Sequence, residues 1–212
     1  MAELADSNYK PNIIFVLGGP GAGKGTQCEK ITQEFDIIHL SAGDLLREER
    51  AKPDSEYGSL IDSYMREGKI VPVDISLGLL KNAIKSGNCN RFLVDGFPRN
   101  FENLQGWNKL MEDVAVVEKV FFFECEESEL ERRLMKRGLT SGRMDDNKEA
   151  MAKRFATFKD STLPVIQHFA GLGRQSLSGE ESIPLLLSVD GNQSVEQVYS
   201  EVRACIVDCM KE

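Results

Sequence analysis

A chain of 212 residues with 41% hydrophobic side chains has the length and apolar content for one α/β domain with a sizeable core and small excursions from it. Its 26 Lys and Arg against 34 Asp and Glu leave a formal charge of −8. That balance argues against general binding to nucleic acid or to an anionic membrane, each of which needs a basic face, so an anion site here must concentrate its cations locally.

In chain order, residues 13–17 (IIFVL) form a wholly apolar run, the pattern of a central parallel strand buried on both faces. A Gly-rich turn and a helical stretch to about residue 34 follow, then a second strand over 37–40. Helix is predicted over 44–50, from Pro53 and Asp54 toward 67, and from Pro72 and Asp74 to 86, closed by Gly87. Next come a strand over 91–94, a helix over 101–111 and a strand over 120–124. Helical patterns cover 126–137 and 147–169, the second interrupted near Thr162, Leu163 and Pro164. A last apolar strand over 185–189 precedes a helix over 194–210, where Ser194 and Gln197 have capping-box spacing. Five strands separated by helices imply a five-stranded parallel sheet with right-handed crossovers and helices on both faces.

Two segments break this rhythm. Residues 41–73 are mostly helical, and 138–147 are short and polar with Gly138 and Gly142 as compliant points. Both are expected to be mobile excursions over the carboxyl edge of the sheet, where open α/β folds bind ligands. Residues 171–183, rich in Gly, Ser and Glu, read as a surface loop.

Five cysteines (Cys28, Cys89, Cys125, Cys205, Cys209) make neither a Cys-x-x-Cys pair nor an even framework, so reduced thiols are expected. Cys205 and Cys209 share one face of the last helix. The polar residues 1–11 hold no apolar signal core, and no run reaches the roughly 18 apolar residues of a membrane span. The expected location is the cytoplasm, with the nucleus as a second, and the expected state is a monomer.

The first strand leads into Gly18-Gly19-Pro20-Gly21-Ala22-Gly23-Lys24-Gly25-Thr26. Glycines open backbone conformations that let several N–H groups face one anion, and the following helix points its positive end at the same place. Lys24 adds a full charge. Phosphate loops commonly carry Ser or Thr directly after the Lys; here Gly25 intervenes before Thr26, so metal coordination by that hydroxyl does not follow from the motif.

This form of the loop resembles that of the nucleoside monophosphate kinases, the adenylate kinase family. The resemblance extends over nearly the whole chain through Ser41-Ala42-Gly43-Asp44-Leu45-Leu46-Arg47, Glu67-Gly68-Lys69-Ile70-Val71-Pro72, Val94-Asp95-Gly96-Phe97-Pro98-Arg99-Asn100 and Ser141-Gly142-Arg143-Met144-Asp145-Asp146. It is nearest to the eukaryotic UMP-CMP kinase branch, down to Asn103-Leu104-Gln105-Gly106-Trp107, and departs only at 171–188, which is longer than the pattern. The resemblance implies a single P-loop kinase domain with a monophosphate-binding subregion (41–73) and a short lid (138–147). It also implies direct in-line transfer of a phosphoryl group, with Mg2+, from ATP to CMP, UMP or dCMP.

By the same resemblance, ATP is held by Gly19, Pro20, Gly21, Ala22, Gly23, Lys24, Gly25, Thr26, Arg137 and Gln193. The monophosphate is held by Ala42, Gly43, Arg47, Lys69, Ile70, Val71, Gly96, Phe97, Arg99, Asn103, Arg143 and Arg154. Lys24, Arg99, Arg137, Arg143, Arg154 and Asp95 serve the transfer, with Asp95 holding Mg2+ through water. Asp145 and Asp146 are expected on Arg side chains or the acceptor. The chemistry agrees: phosphoryl transfer spreads negative charge over equatorial oxygens, Arg binds such oxygens in pairs, and an already ionised acceptor needs no general base. Closure of both excursions would exclude water as a competing acceptor.

Where adenylate kinases usually have Thr and Gln, this chain has Ala42 and Asn103. The shorter amide is expected to rotate to suit cytosine or uracil. Arg132, Arg133 and Lys136 read as solvated surface and His39, in its strand, as structural, while His168 sits in a helix and says little. Phosphorylation of AMP, a nucleotide-binding switch and an inactive binding module are the competing readings.

Overall fold

The computed structural model describes residues 10–143, 145, 147–175 and 182–211. In chain order its elements are β1 (Asn12–Gly18), α1 (Lys24–Glu34), β2 (Ile38–Ser41), α2 (Ala42–Ala51), α3 (Gly58–Arg66), α4 (Val73–Ser86), β3 (Arg91–Asp95), α5 (Phe101–Met111) and β4 (Val116–Glu124). Then follow α6 (Glu127–Gly138), α7 (Lys148–Thr157), a π-helical turn (Phe158–Thr162), α8 (Leu163–Ala170), β5 (Gly173–Gln175), β6 (Ser182–Pro184), β7 (Leu186–Asp190) and α9 (Val195–Cys209). Among the described residues no helix is long and apolar enough to cross a membrane.

Alternation along β1 accounts for the layers. Ile13, Phe15 and Leu17 join a core built with α4, α5 and α8, where Trp107 sits edge-on to Phe15 at 4.9 Å. Ile14 and Val16 face the other way, into a core with α1, α6, α7 and α9. A strand between two helical layers needs apolar residues at every position, which is why its sequence is a continuous run rather than an alternating one. The sheet is parallel throughout, in the order β2-β3-β1-β4-β7. The chain leaves β1 toward β2 and leaves β3 toward β4, on opposite sides, so a crevice opens at the carboxyl ends of β1 and β3. Register places Asp95 beside Val16 on one side and Ser41 on the other.

Residues 41–73 share a small core with the start of α4, formed by Leu46, Ile61, Val71 and Ile75. The helix expected from Pro53 instead begins at Gly58, because residues 52–57 turn on hydrogen bonds such as Ser55 N–H to the Lys52 carbonyl. The interruption expected at 162–164 lies earlier, as the π-helical turn. Pro164 falls in the first turn of α8, directly after the π-helical turn, where the Leu163 N–H reaches back to the Phe158 carbonyl. The ends of the expected surface loop 171–183 pair as the antiparallel strands β5 and β6; residues 176–181 lie outside the described residues. Gly87 does close α4, but with an ordinary φ of −74°. Its role is space, since a Cβ there would lie 2.6 Å from the Phe92 ring.

Candidate active site

The phosphate loop joins the end of β1 to α1. Gly21 (φ 90°) and Gly23 (φ 87°) take left-handed conformations that allow its tight course, and a Cβ on Gly21 would also strike the Leu130 carbonyl at 2.8 Å. Lys24 opens α1 and folds back to donate from Nζ to the carbonyls of Gly18 and Gly19, both at 3.0 Å. Burial lowers its pKa to about 8 despite the opposing pull of Asp95, and Arg99, Arg154 and Arg137 add to the lowering.

The loop forms one wall of a cavity of about 680 Å³ at the β1–β3 crevice. Nine Lys and Arg side chains line it against three Asp, in a chain whose net charge is −8. This imbalance marks the cavity as a site for polyanions. Arg99 is held by its Nε–H to the Gly96 carbonyl at 2.8 Å, and its own carbonyl accepts from Thr162 Oγ1 at 2.8 Å. Burial, and then the neighbouring Arg154, lower the Arg99 pKa. Arg154 therefore acts on Lys24 and Arg99 alike, and the three cations converge.

The subregion 41–73 and the segment 138–147 meet over this cavity. Arg47 binds Asp44 through Nε (3.1 Å) and Nη2 (2.5 Å), while Arg143 reaches the same carboxylate at 3.4 Å. Burial works to raise Asp44, but the hydrogen bonds from Arg47 and Ser41 and the charges of Arg47 and Arg143 hold it below its ordinary value. Asp145 pairs with Arg154 at 2.8 Å. Thr157 donates to the Gly68 carbonyl at 2.9 Å, and a Cβ on Gly68 would press on Lys153 at 2.9 Å, so α7 lies directly against the subregion.

Of the residues implied by sequence, Pro20, Gly21, Gly23, Lys24, Gly25, Thr26, Ala42, Gly43, Arg47, Lys69, Ile70, Val71, Asp95, Gly96, Phe97, Arg99, Asn103, Arg137, Arg143 and Arg154 line the one cavity. Three others do not line it. Gly19 faces Leu130, and its carbonyl takes the Lys24 ammonium. Ala22 spends its N–H on the Gly19 carbonyl and buries its methyl in the core. Gln193 sits in the β7–α9 turn, its backbone N–H on the Asp190 carbonyl at 3.4 Å. Asp146 lies outside the described residues.

Sequence reasoning missed several lining residues. Arg132 is a surface partner of Glu129, but Arg133 and Lys136 line the cavity. Arg133 also donates to the Gly191 carbonyl at 2.8 Å and so ties α6 to the turn that brings Val195 to the same wall. His39 is not simply structural: it lines the cavity with Nε2 3.6 Å from Asp95 Oδ2. Phe158 and Thr162 reach the wall from the π-helical turn. Periodicity marks such positions as ordinary helix or strand, and only the packing of separate elements exposes them.

Asn103 stands at the cavity wall with its amide held from one side. It is 2% exposed, its Oδ1 accepts from the Arg99 N–H at 3.1 Å, and its Nδ2 is buried with no hydrogen-bond partner. A rotated amide would set two donors against each other at Arg99, which disfavours rotation in the free protein. The side chain offers a donor only. The helix cap itself is Asn100, whose Oδ1 accepts from the Asn103 N–H at 2.8 Å.

A Gly-rich loop with a buried lysine and several guanidiniums gathered at the switch point of a parallel sheet make a cationic site suited to phosphate-bearing ligands. The sequence profile described as adenylate kinase matches residues 16–174. The chain belongs to the adenylate kinase family. It is 48% identical over 199 residues to the UMP-CMP kinase of Xenopus tropicalis, covering 92% of this chain and 96% of that one. Against the human UMP-CMP kinase it is 47% identical over 198 residues, covering 91% and 95%. The UMP-CMP kinase of Danio rerio gives 47% over 199 residues, with 92% and 96% covered.

Proposed function

We propose that this chain is an enzyme transferring the terminal phosphoryl group of ATP to a pyrimidine nucleoside monophosphate, giving the diphosphate and ADP. One observation carries the reading. A single cavity holds the phosphate loop with Lys24 and also Arg47 and Arg99 from separate elements, with Arg154 acting electrostatically on both Lys24 and Arg99. Two phosphate-bearing ligands brought to such a site have their mutual repulsion offset, and reaction between them becomes a matter of position and charge.

ATP phosphates lie against the N–H groups of the loop and the start of α1, with Lys24 moving from its own carbonyls to the outer phosphates. Arg47 and Arg99 take the acceptor phosphate. Arg137, Arg143 and Arg154 meet the charge that grows on the moving group. Asp95, a hard oxygen donor lining the cavity at the end of β3, fits a Mg2+ held through water, and bound Mg2+ neutralises phosphate charge there. The buried Nδ2 of Asn103 finds its partner in a pyrimidine carbonyl, an acceptor that cytosine and uracil share. The contacts of Arg143 with Asp44 and of Thr157 with Gly68 support closure of the lid and subregion over both nucleotides. The chain acts as a monomer on small molecules, and a cytoplasmic setting agrees with five cysteines that form no disulfide.

The test is a coupled assay with Mg-ATP and a panel of CMP, UMP, dCMP and AMP. The highest kcat/KM is expected for a pyrimidine. AMP as the best substrate would overturn the acceptor, and no diphosphate from any monophosphate would overturn the reaction class.

A further inference from the structure

Beneath the phosphate loop lies a set of side chains that phosphoryl transfer does not use together. Cys28 sits on the buried face of α1, His39 on β2 and Asp95 at the end of β3. One ligand atom from each lies within 4.8 Å of the other two. We propose that Cys28, His39 and Asp95 form a second cation site, for a thiophilic divalent ion of the Zn2+ class, on the floor of the nucleotide cavity.

Three observations support it. The donor set is sulfur, imidazole nitrogen and carboxylate oxygen, the mixture Zn2+ takes. At ligand distances of about 2.0–2.3 Å, tetrahedral neighbours stand roughly 3.5 Å apart, so the trio needs to draw in by only about 1 Å. His39 Nε2 is buried with no hydrogen-bond partner and stands 3.6 Å from Asp95 Oδ2. A buried ring nitrogen with no partner is costly, and an ion between these two groups would satisfy it. Finally, His39 and Asp95 line the cavity, which gives an ion a way in, while Cys28 is fully buried.

The site differs in kind from that of Mg2+, which takes oxygen ligands and avoids sulfur, although Asp95 is common to both. Binding is balanced by proton release: the Cys28 thiol gives up its proton as the sulfur–metal bond forms. Lys24 and Arg99, both close enough to act on Asp95, are the opposing charges; the Lys24 ammonium is turned to the Gly18 and Gly19 carbonyls and the Arg99 Nε–H to the Gly96 carbonyl. An ion held here ties together the helix after the phosphate loop and two neighbouring strands, and it draws the Asp95 carboxylate inward. The predicted consequences are a more stable protein and slower phosphoryl transfer.

The test uses the full chain without nucleotide. Co2+ is added and the near-ultraviolet sulfur-to-cobalt charge-transfer band is followed; Zn2+ affinity is read by competition with a chromophoric chelator. One equivalent is expected, with a rise in Tm. Cys28→Ala should abolish the band and weaken Zn2+ by at least about tenfold, the scale that loss of even an outer-shell partner reaches. It should keep turnover with Mg-ATP. His39→Gln should weaken Zn2+ comparably, and a Cys205→Ser/Cys209→Ser variant should leave the band intact. A band that survives Cys28→Ala, or that disappears with Cys205 and Cys209, overturns the proposal, as does a Zn2+ isotherm indifferent to both Cys28→Ala and His39→Gln. This binding result does not depend on which monophosphate is the acceptor. Zn2+ that binds as stated and leaves turnover untouched would uphold the site while refuting the role given to Asp95.

Discussion

Asn103 gives the sharpest test of how the acceptor base is read. Its amide makes one hydrogen bond to protein, from the Arg99 N–H at 3.1 Å, and its buried Nδ2 makes none. Asn103→Asp keeps an oxygen for the Arg99 N–H and removes the donor; Asn103→Ala removes both. Leaving a buried carbonyl of the bound base without its donor costs about 1–3 kcal/mol, which is roughly a 5- to 150-fold fall in kcat/KM. We expect that loss for CMP and UMP in both variants, with a smaller change for AMP. Asn103→Ala also loses the hydrogen bond to Arg99 and should be less stable by about 0.5–1.5 kcal/mol. Steady-state assays on the three monophosphates, with urea midpoints on the same preparations, separate the two effects. An equal fall for all three substrates would refute the reasoning, because it would mean that Asn103 acts only by placing Arg99.

Two further outcomes follow from particular geometries. Lys24 in the free protein has a pKa of about 8, against an ordinary 10.5, and bound phosphates raise it. Its contribution to ATP affinity is therefore fully present below about pH 8 and declines as pH rises through that region, with proton uptake on binding. Calorimetry in buffers of different ionisation enthalpy checks this, and Lys24→Met should abolish the uptake; flat affinity without uptake between roughly pH 7 and 9 would contradict it. Gly87→Ala sets a methyl 2.6 Å from Phe92 Cε1 and 3.1 Å from Ile38 Cδ1. Overpacking of this kind should lower stability by about 1–3 kcal/mol in urea melts, and an unchanged midpoint would show that the packing gives way freely.

Much of the site was legible because its chemistry is local. The phosphate loop is nine consecutive residues whose glycines and lysine act through their own backbone and the next helix. The capping box of α9 needs only Ser194 and Gln197, and both of its hydrogen bonds form. Arg99, Asp95 and Arg47 stood out through the family's short motifs, and each lies within a few residues of a strand end. Arg133 did not stand out. Beside Arg132, which pairs with Glu129, it has no distinguishing sequence, and only the packing of α6 against the β7–α9 turn gives it a carbonyl to hold and a cavity to face.

The chain's own order of residues determined the alternation of strands and helices, the Gly-rich loop ahead of α1, and the family. These depend on near neighbours, on apolar periodicity and on backbone permissiveness. Tertiary structure alone decided that β3 lies between β2 and β1, which sets Asp95 between the phosphate loop and Ser41. It also decided that the Arg99 N–H orients the Asn103 amide and that Cys28, His39 and Asp95 converge. The reason is physical: strand order, a hydrogen bond pinned by another segment and a meeting of three side chains are relations between distant parts of the chain, and they come into being only when those parts pack.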